Sequence, residues 1–166
     1  MGPIYRFLAG DHTRLDSLLQ RAFANPNQID FESYGQFRAG LLRHIAMEEK
    51  VLLPAAQKAR GGEPLQIAAK LRLDHGALAA LLVPTPTAAI AASLRGVLAA
   101  HNPLEEEPDG LYQTCEALLA GESEDIVAKL RSVPEVKLAP FNDRPQVMES
   151  ARRALARAGH ELKQNM

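Results

Sequence analysis

The 166-residue chain contains no tryptophan, only one cysteine and few aromatic residues. The shortage of aromatic side chains, in a chain rich in alanine and leucine, favours helices over a β-sandwich. The single Cys115 cannot form an internal disulfide bond and is typical of a protein from the reducing cytoplasm. These absences predict an all-α, cytoplasmic protein.

The chain also lacks an excess of either charge and any long apolar run. Its net charge is −1, so the sequence gives no basic surface for nucleic acid and no basic cluster for a membrane surface. The apolar runs are too short to span a bilayer, and the first six residues do not resemble the apolar core of a signal peptide. We therefore expect neither nucleic acid nor a membrane as a partner.

Two similar motifs dominate what is present: His44-Ile-Ala-Met-Glu48-Glu49 and His101-Asn-Pro-Leu-Glu105-Glu106. In each motif a histidine and a glutamate are four residues apart. On a helix this spacing places both side chains on one face, one turn apart. An imidazole beside a carboxylate is a typical ligand pair for a transition metal such as iron, zinc or manganese.

Each motif follows a histidine that lies in a repeated frame. The segment Asp11-His12-x-x-Leu15-x-x-Leu18-Leu19 matches Asp74-His75-x-x-Leu78-x-x-Leu81-Leu82 position for position. The chain therefore reads as two helical hairpins of similar design. Two such hairpins predict an up-and-down antiparallel four-helix bundle, which we assign to residues 1–121.

The helix starts are predicted from capping residues and prolines. The first helix should begin near Asp11 or one turn earlier, and the second between Asp30 and Ser33. The third should open at Glu63-Pro64 and the fourth near Thr87.

Proline should disturb two of these helices. Pro54 should kink or end the second helix, and Pro103, which lies between His101 and Glu105, should distort the fourth. Two such His/Glu pairs, facing each other across the bundle, could hold two metal ions. The metal at the Pro103 pair would then be weakly held, which leaves a mononuclear site as an alternative.

Residues 122–166 are predicted to form a C-terminal helical extension. It should contain a short helix capped by Ser123, an extended stretch over 133–144, and a last helix with Asp143 as cap and Pro145 in its first turn. This extension would pack on the bundle or on a partner chain, so a homodimer is one alternative.

Six side chains are the metal-ligand candidates, because each interrupts an apolar helix face: His12, His44, Glu48, His75, His101 and Glu105. A single histidine on such a face is more often a hydrogen-bonded core residue than a ligand. Four of the five histidines share this placement, however, and burying them without partners would be costly. The fifth, His160, is off the apolar face of its helix and is expected to face solvent.

The neighbouring residues allow several interpretations. Glu49 and Glu106 are either solvated or hydrogen-bonded to a ligand, and Asp11 and Asp74 are either helix caps or acceptors that orient an imidazole. Cys115 is expected to be a small core residue. No role is assigned to the tyrosines.

The order of a histidine, His-x-x-x-Glu-Glu, a histidine and again His-x-x-x-Glu-Glu resembles the hemerythrin-like HHE cation-binding family over residues 5–120. The resemblance implies a four-helix bundle with a non-haem di-iron centre that binds dioxygen or senses oxygen or redox state. The six candidates would inherit the ligand roles, with Glu48 and Glu105 as bridging carboxylates. Ala79 stands where the oxygen-carrying hemerythrins have a fifth histidine.

The leading hypothesis is therefore an iron protein that binds or senses a small ligand such as dioxygen, nitric oxide or peroxide. One alternative is a di-iron enzyme acting on peroxide, nitric oxide or ferrous iron, and we rank it lower because no acid–base residue is evident. Another is an interaction module in which iron or zinc only stabilises the bundle.

Overall fold

A computed structural model describes residues 1–164, and this part of the chain consists of helices and loops without a β-strand. The predicted all-α fold class is thereby confirmed. The last two residues of the predicted extension, 165 and 166, lie outside the described residues. Within residues 1–164, no helix combines the length and the apolar character needed to cross a membrane.

Four helical segments joined by short loops form an up-and-down bundle, as predicted. They are α1 (Pro3–Ala22), α2 (Phe31–Met47) continued by a π-helical turn (Glu48–Leu52) and α3 (Leu53–Ala59), α4 (Ala68–Leu81), and α5 (Ala88–Glu106). The helices pack α1 against α2 and α4 against α5, which corresponds to the two predicted hairpins.

The predicted starts are right for two helices and wrong for the other two. Asp30 caps α2 and Thr87 caps α5, as expected. The first helix begins earlier than predicted, at Pro3, because Ile4 and Leu8 extend its buried face.

The third bundle helix begins later than predicted, at Ala68 instead of Glu63. Arg60 donates hydrogen bonds to the carbonyl oxygens of Glu63 and Pro64 and holds both residues in the loop. Pro64 therefore does not begin the helix, because the hydrogen bonds from Arg60 at the end of α3 keep it in the loop.

Neither proline ends its helix. At Pro54 the chain continues into α3, because the preceding turn widens and the Leu53 amide donates to the Glu48 carbonyl five residues back. This wider turn accommodates a residue that lacks an N–H and crowds the carbonyl four residues earlier. The helix α5 likewise continues through Pro103 to Glu106.

Two apolar clusters fill the interior, and the layer between them contains the six candidate ligands. One cluster includes Leu19, Phe37 and Leu78, and the other includes Leu8, Met47 and Leu71. The helices α6 (Leu111–Leu118) and α7 (Ser123–Arg131) add to the second cluster, and α8 (Pro145–Arg157) adds to the first.

The extension lies against its own bundle, where α8 packs on α4. Residues 134–144 form no helix or strand, in agreement with the predicted extended stretch. Both predicted caps are wrong, because these side chains bond elsewhere: Ser123 donates to Glu116 (2.8 Å), and Asp143 accepts from the Thr85 amide and hydroxyl (2.8 and 2.7 Å). The division at residue 121 stays a prediction.

Candidate metal centre

The structure brings all six candidate ligands together in the polar layer of the bundle. They come from four segments: His12 on α1, His44 and Glu48 on α2 and its π-helical continuation, His75 on α4, and His101 and Glu105 on α5. The most exposed of them, His12, has only 7% of its surface accessible. The centre is thus enclosed by the bundle.

The six side chains form two groups of possible metal ligands, and within each group all ligand atoms lie within 4.8 Å of one another. The first donor group is His12, His44, Glu48 and Glu105, and the second donor group is His75, His101, Glu48 and Glu105. The two glutamates belong to both groups.

Each shared glutamate directs one oxygen into each group. Glu48 Oε1 is 3.2 Å from His44 Nε2, whereas its Oε2 is 3.1 Å from His75 Nε2. Glu105 Oε2 is 3.2 Å from His12 Nε2, and its Oε1 is 2.9 Å from His101 Nε2. This is the arrangement needed for two carboxylates to bridge two metal ions. Pro103 does not separate His101 from Glu105.

Each of the four histidines directs Nε2 toward the centre and Nδ1 toward an acidic side chain. The Nδ1 pairs are His44 with Asp11 (2.8 Å), His75 with Glu49 (2.9 Å), His101 with Asp74 (3.1 Å), and His12 with Glu106. A carboxylate that accepts from Nδ1 fixes the imidazole orientation and leaves Nε2 as the ligand atom.

These contacts decide between the earlier alternatives. Asp11 and Asp74 lie inside α1 and α4, so they are not helix caps and instead orient histidines of the following helices. Glu49 and Glu106 are partly exposed, at 36% and 34%, yet each bonds a histidine. All four acids therefore support the centre.

The charges of the acidic and histidine side chains stabilise one another. Burial lowers the pKa of His44, but the charge of Glu48 and the hydrogen bond to Asp11 outweigh it and raise the pKa to about 10. Burial would raise the pKa of Glu105, yet the histidines around it lower the pKa well below its usual value. Without a metal, the centre thus pairs protonated histidines with ionised glutamates, and a metal cation would replace the histidine protons.

Three atoms of the second donor group make no well-aligned hydrogen bond among the described residues, although histidine and glutamate atoms of that group lie 2.9–3.1 Å from one another. They are Glu48 Oε2, His75 Nε2 and Glu105 Oε1. Buried polar atoms without partners are costly. A metal ion with nitrogen and oxygen ligands would satisfy all three, so these side chains fit the metal that the motif implies.

Tyr112 contacts the first donor group, although no role was predicted for it from the sequence. Its side chain is fully buried, and its hydroxyl lies 2.7 Å from Glu48 Oε1 and 3.1 Å from Glu105 Oε2. The same oxygen is 3.1 Å from His12 Nε2 and 3.3 Å from His44 Nε2. Burial and the two glutamate charges raise the pKa of Tyr112 well above its usual value, so the hydroxyl donates to Glu48.

A tight turn before α6 places this tyrosine. A Cβ at Gly110 would lie 2.7 Å from the backbone oxygen of Glu105, so only glycine fits there. The one sequence signal for Tyr112 is its position seven residues, or about two helical turns, after Glu105. The Pro108-Asp109-Gly110 break hides that signal, because it makes the direction of α6 unpredictable.

The prediction that His160 faces solvent is wrong. Its Nε2 lies 3.0 Å from Asp74 Oδ1, and its side chain is only 15% exposed. Gly159, at φ 81°, ends α8 with a turn that directs the next residue back to the bundle. Cys115, by contrast, is a buried member of an apolar cluster, as predicted.

The chain was compared with protein-family models, curated proteins and solved structures. The family model "Hemerythrin HHE cation binding domain" matches residues 4–114. No curated protein and no solved structure matches the chain significantly.

Proposed function

Because the chain belongs to the hemerythrin HHE cation-binding domain family, we propose that its six clustered ligands hold two iron ions in a non-haem di-iron centre. The observation that carries this proposal is the sharing of Glu48 and Glu105 between two donor groups. Each donor group offers two imidazole nitrogens and two carboxylate oxygens. This mixed set suits iron better than a metal that prefers thiolates, and zinc is the alternative to test.

We further propose that the centre binds or senses a small ligand such as dioxygen, nitric oxide or peroxide. Two points support this assignment. The six ligand side chains are at most 7% exposed, which limits access to small molecules. The second donor group supplies four protein donors, fewer than the six of an octahedral ion.

The surrounding acids favour ligand binding over catalysis. Asp11, Glu49, Asp74 and Glu106 each accept a hydrogen bond from a histidine of the centre. An acid used in this way positions a ligand and is not available as a general acid or base. We therefore propose a binding or sensing role ahead of an enzymatic one.

Metal analysis of ligand variants tests the iron centre. The wild-type protein should bind about two irons per chain after anaerobic loading. His44→Ala should bind fewer than two, and Glu48→Ala should bind none, because Glu48 belongs to both donor groups. Glu63→Ala is the control, because Glu63 is exposed and outside the centre. Full iron content in both ligand variants would contradict the proposal, and a preference for zinc would remove iron from it.

A ligand titration tests the second part. The reduced, iron-loaded protein should change its absorption spectrum when dioxygen or nitric oxide is added, whereas Glu48→Ala should not. Wild-type spectra unchanged by dioxygen, nitric oxide and peroxide would contradict the binding role and leave the metal centre intact.

A further inference from the structure

The Tyr112 hydroxyl is the only tyrosine oxygen of the described residues that contacts ligand atoms of the centre. It approaches four of them at 2.7–3.3 Å. The other buried tyrosine, Tyr34, lies in the opposite apolar cluster. Contact with the ligand atoms is therefore specific to Tyr112 and is not shared by the other buried tyrosine.

These distances are close to the spacing of donors around one metal ion. Donors at bond lengths of about 2.0–2.2 Å that are at right angles to each other are separated by about 2.8–3.1 Å. Other pairs within the first donor group have nearly the same spacing: 3.2 Å from His44 Nε2 to Glu48 Oε1 and 3.2 Å from His12 Nε2 to Glu105 Oε2. The tyrosine oxygen thus has the spacing from these atoms that a further donor to the same ion would have.

From this spacing we infer that Tyr112 is itself a metal ligand, the fifth protein donor of the first donor group. The inference rests on the proposed function, because it needs a metal ion held by His12, His44, Glu48 and Glu105. On ligation the phenol O–H bond breaks and a metal–oxygen bond forms. The proton leaves to solvent, and no group is oxidised or reduced.

The second donor group has no such partner. Its histidines, His75 and His101, make no contact with a tyrosine hydroxyl in the described residues. The centre is consequently asymmetric: the protein supplies five donors on one side and four on the other. A small exogenous ligand would therefore bind at the second donor group.

The test is spectroscopic and does not depend on activity. A tyrosine oxygen bound to ferric iron gives a charge-transfer absorption band in the visible region. Excitation in that band enhances the Raman vibrations of the tyrosine ring. The diferric wild-type protein should show both signals, and ring-deuterated tyrosine should shift the enhanced vibrations.

Two variants assign the signal to one residue. Tyr112→Phe should lose the band while it retains two irons, because Glu48 and the histidines remain. Tyr34→Phe should keep the band; it is a matched control that also removes a buried hydroxyl.

A diferric wild-type protein without the band, or a band unchanged in Tyr112→Phe, would overturn the inference and leave the iron centre standing. Failure of the wild-type protein to bind iron would overturn both. If Tyr112→Phe does not fold, the isotope shift in the wild-type protein decides the question, since an enhanced tyrosine vibration can come only from a bound tyrosine.

Discussion

The two donor groups are alike in their ligands and different in their surroundings. Each contains two histidines that arise from the repeated frame, and each shares Glu48 and Glu105. The first group also contacts Tyr112 of α6, whereas the second is connected through Asp74 to His160 of the extension. The repeat therefore generates a nearly symmetric centre, and segments outside the repeat make it asymmetric.

The acids that orient the histidines show the same contrast. Asp11 is 13% exposed and is bound by Arg14 (2.8 Å) as well as by His44. Asp74 is fully buried and is bound by Lys70 (2.5 Å) and His160 in addition to His101. The extension thus helps to stabilise the buried charge of Asp74 beside the second donor group. It makes no such contact with Asp11 beside the first donor group.

The largest expected effect comes from removing a shared ligand. Glu48→Ala should lose both irons, because each donor group loses an oxygen. His75→Ala should keep about one iron, held by the first group with its additional tyrosine. Metal analysis after gel filtration measures both values. Equal iron content in the two variants would contradict the distinction between shared and unshared ligands.

Metal binding should stabilise the bundle in proportion to the number of groups filled. One metal at a free concentration one hundred times its Kd adds about 2.7 kcal/mol to the free energy of unfolding. For a chain of this length that raises Tm by roughly 5–10 °C. His75→Ala should show a smaller shift than the wild-type protein, and Glu48→Ala should show none. Thermal unfolding of apo and loaded samples provides the comparison.

Asp11→Asn and Asp74→Asn form a matched pair that weakens one group at a time. Each removes the carboxylate that orients one ligand, His44 or His101. The affinity for the iron bound by that histidine should fall by about 10- to 100-fold. Competition with a chelator measures the two affinities separately. Equal weakening of both irons by either variant would mean that the groups do not act independently.

The smallest effect is expected for His160→Ala. The variant removes one of the hydrogen-bonding partners of Asp74 but leaves Lys70 and His101 in place. The free energy of unfolding should fall by about 1–2 kcal/mol, and only the second iron should be released faster. Gln28→Ala, an exposed change elsewhere, is the control. Faster release of the iron in the first donor group would mean that His160 does not act on the second donor group alone.

Periodicity and ligand spacing were sufficient to predict the bundle and to predict that six side chains lie close together in it. They worked because the His-x-x-x-Glu pair and its helix are local: His44 and Glu48 share a face wherever that helix packs. The start of α4 failed because Arg60 holds Glu63 and Pro64 in a loop. That hydrogen bonding is not visible in a pattern of apolar residues.

The residues that make the centre asymmetric were missed for a similar reason. Tyr112 follows a helix break whose geometry depends on the close contact of Gly110 with Glu105. His160 follows a turn at Gly159 that reverses the chain toward Asp74. Turns set the direction of the next segment, and that direction could not be predicted from the turn residues alone. The ligand roles of the six side chains stay a prediction until metal is measured.

The proposed centre holds two irons of one chain in different environments. Mössbauer spectroscopy of the wild-type protein, loaded with the Mössbauer-active iron isotope and oxidised, distinguishes these environments. We predict two quadrupole doublets of equal area, one for the iron bound by Tyr112 and one for the iron without it. A single doublet would contradict two different iron environments, and the absence of protein-bound iron would contradict the iron centre itself.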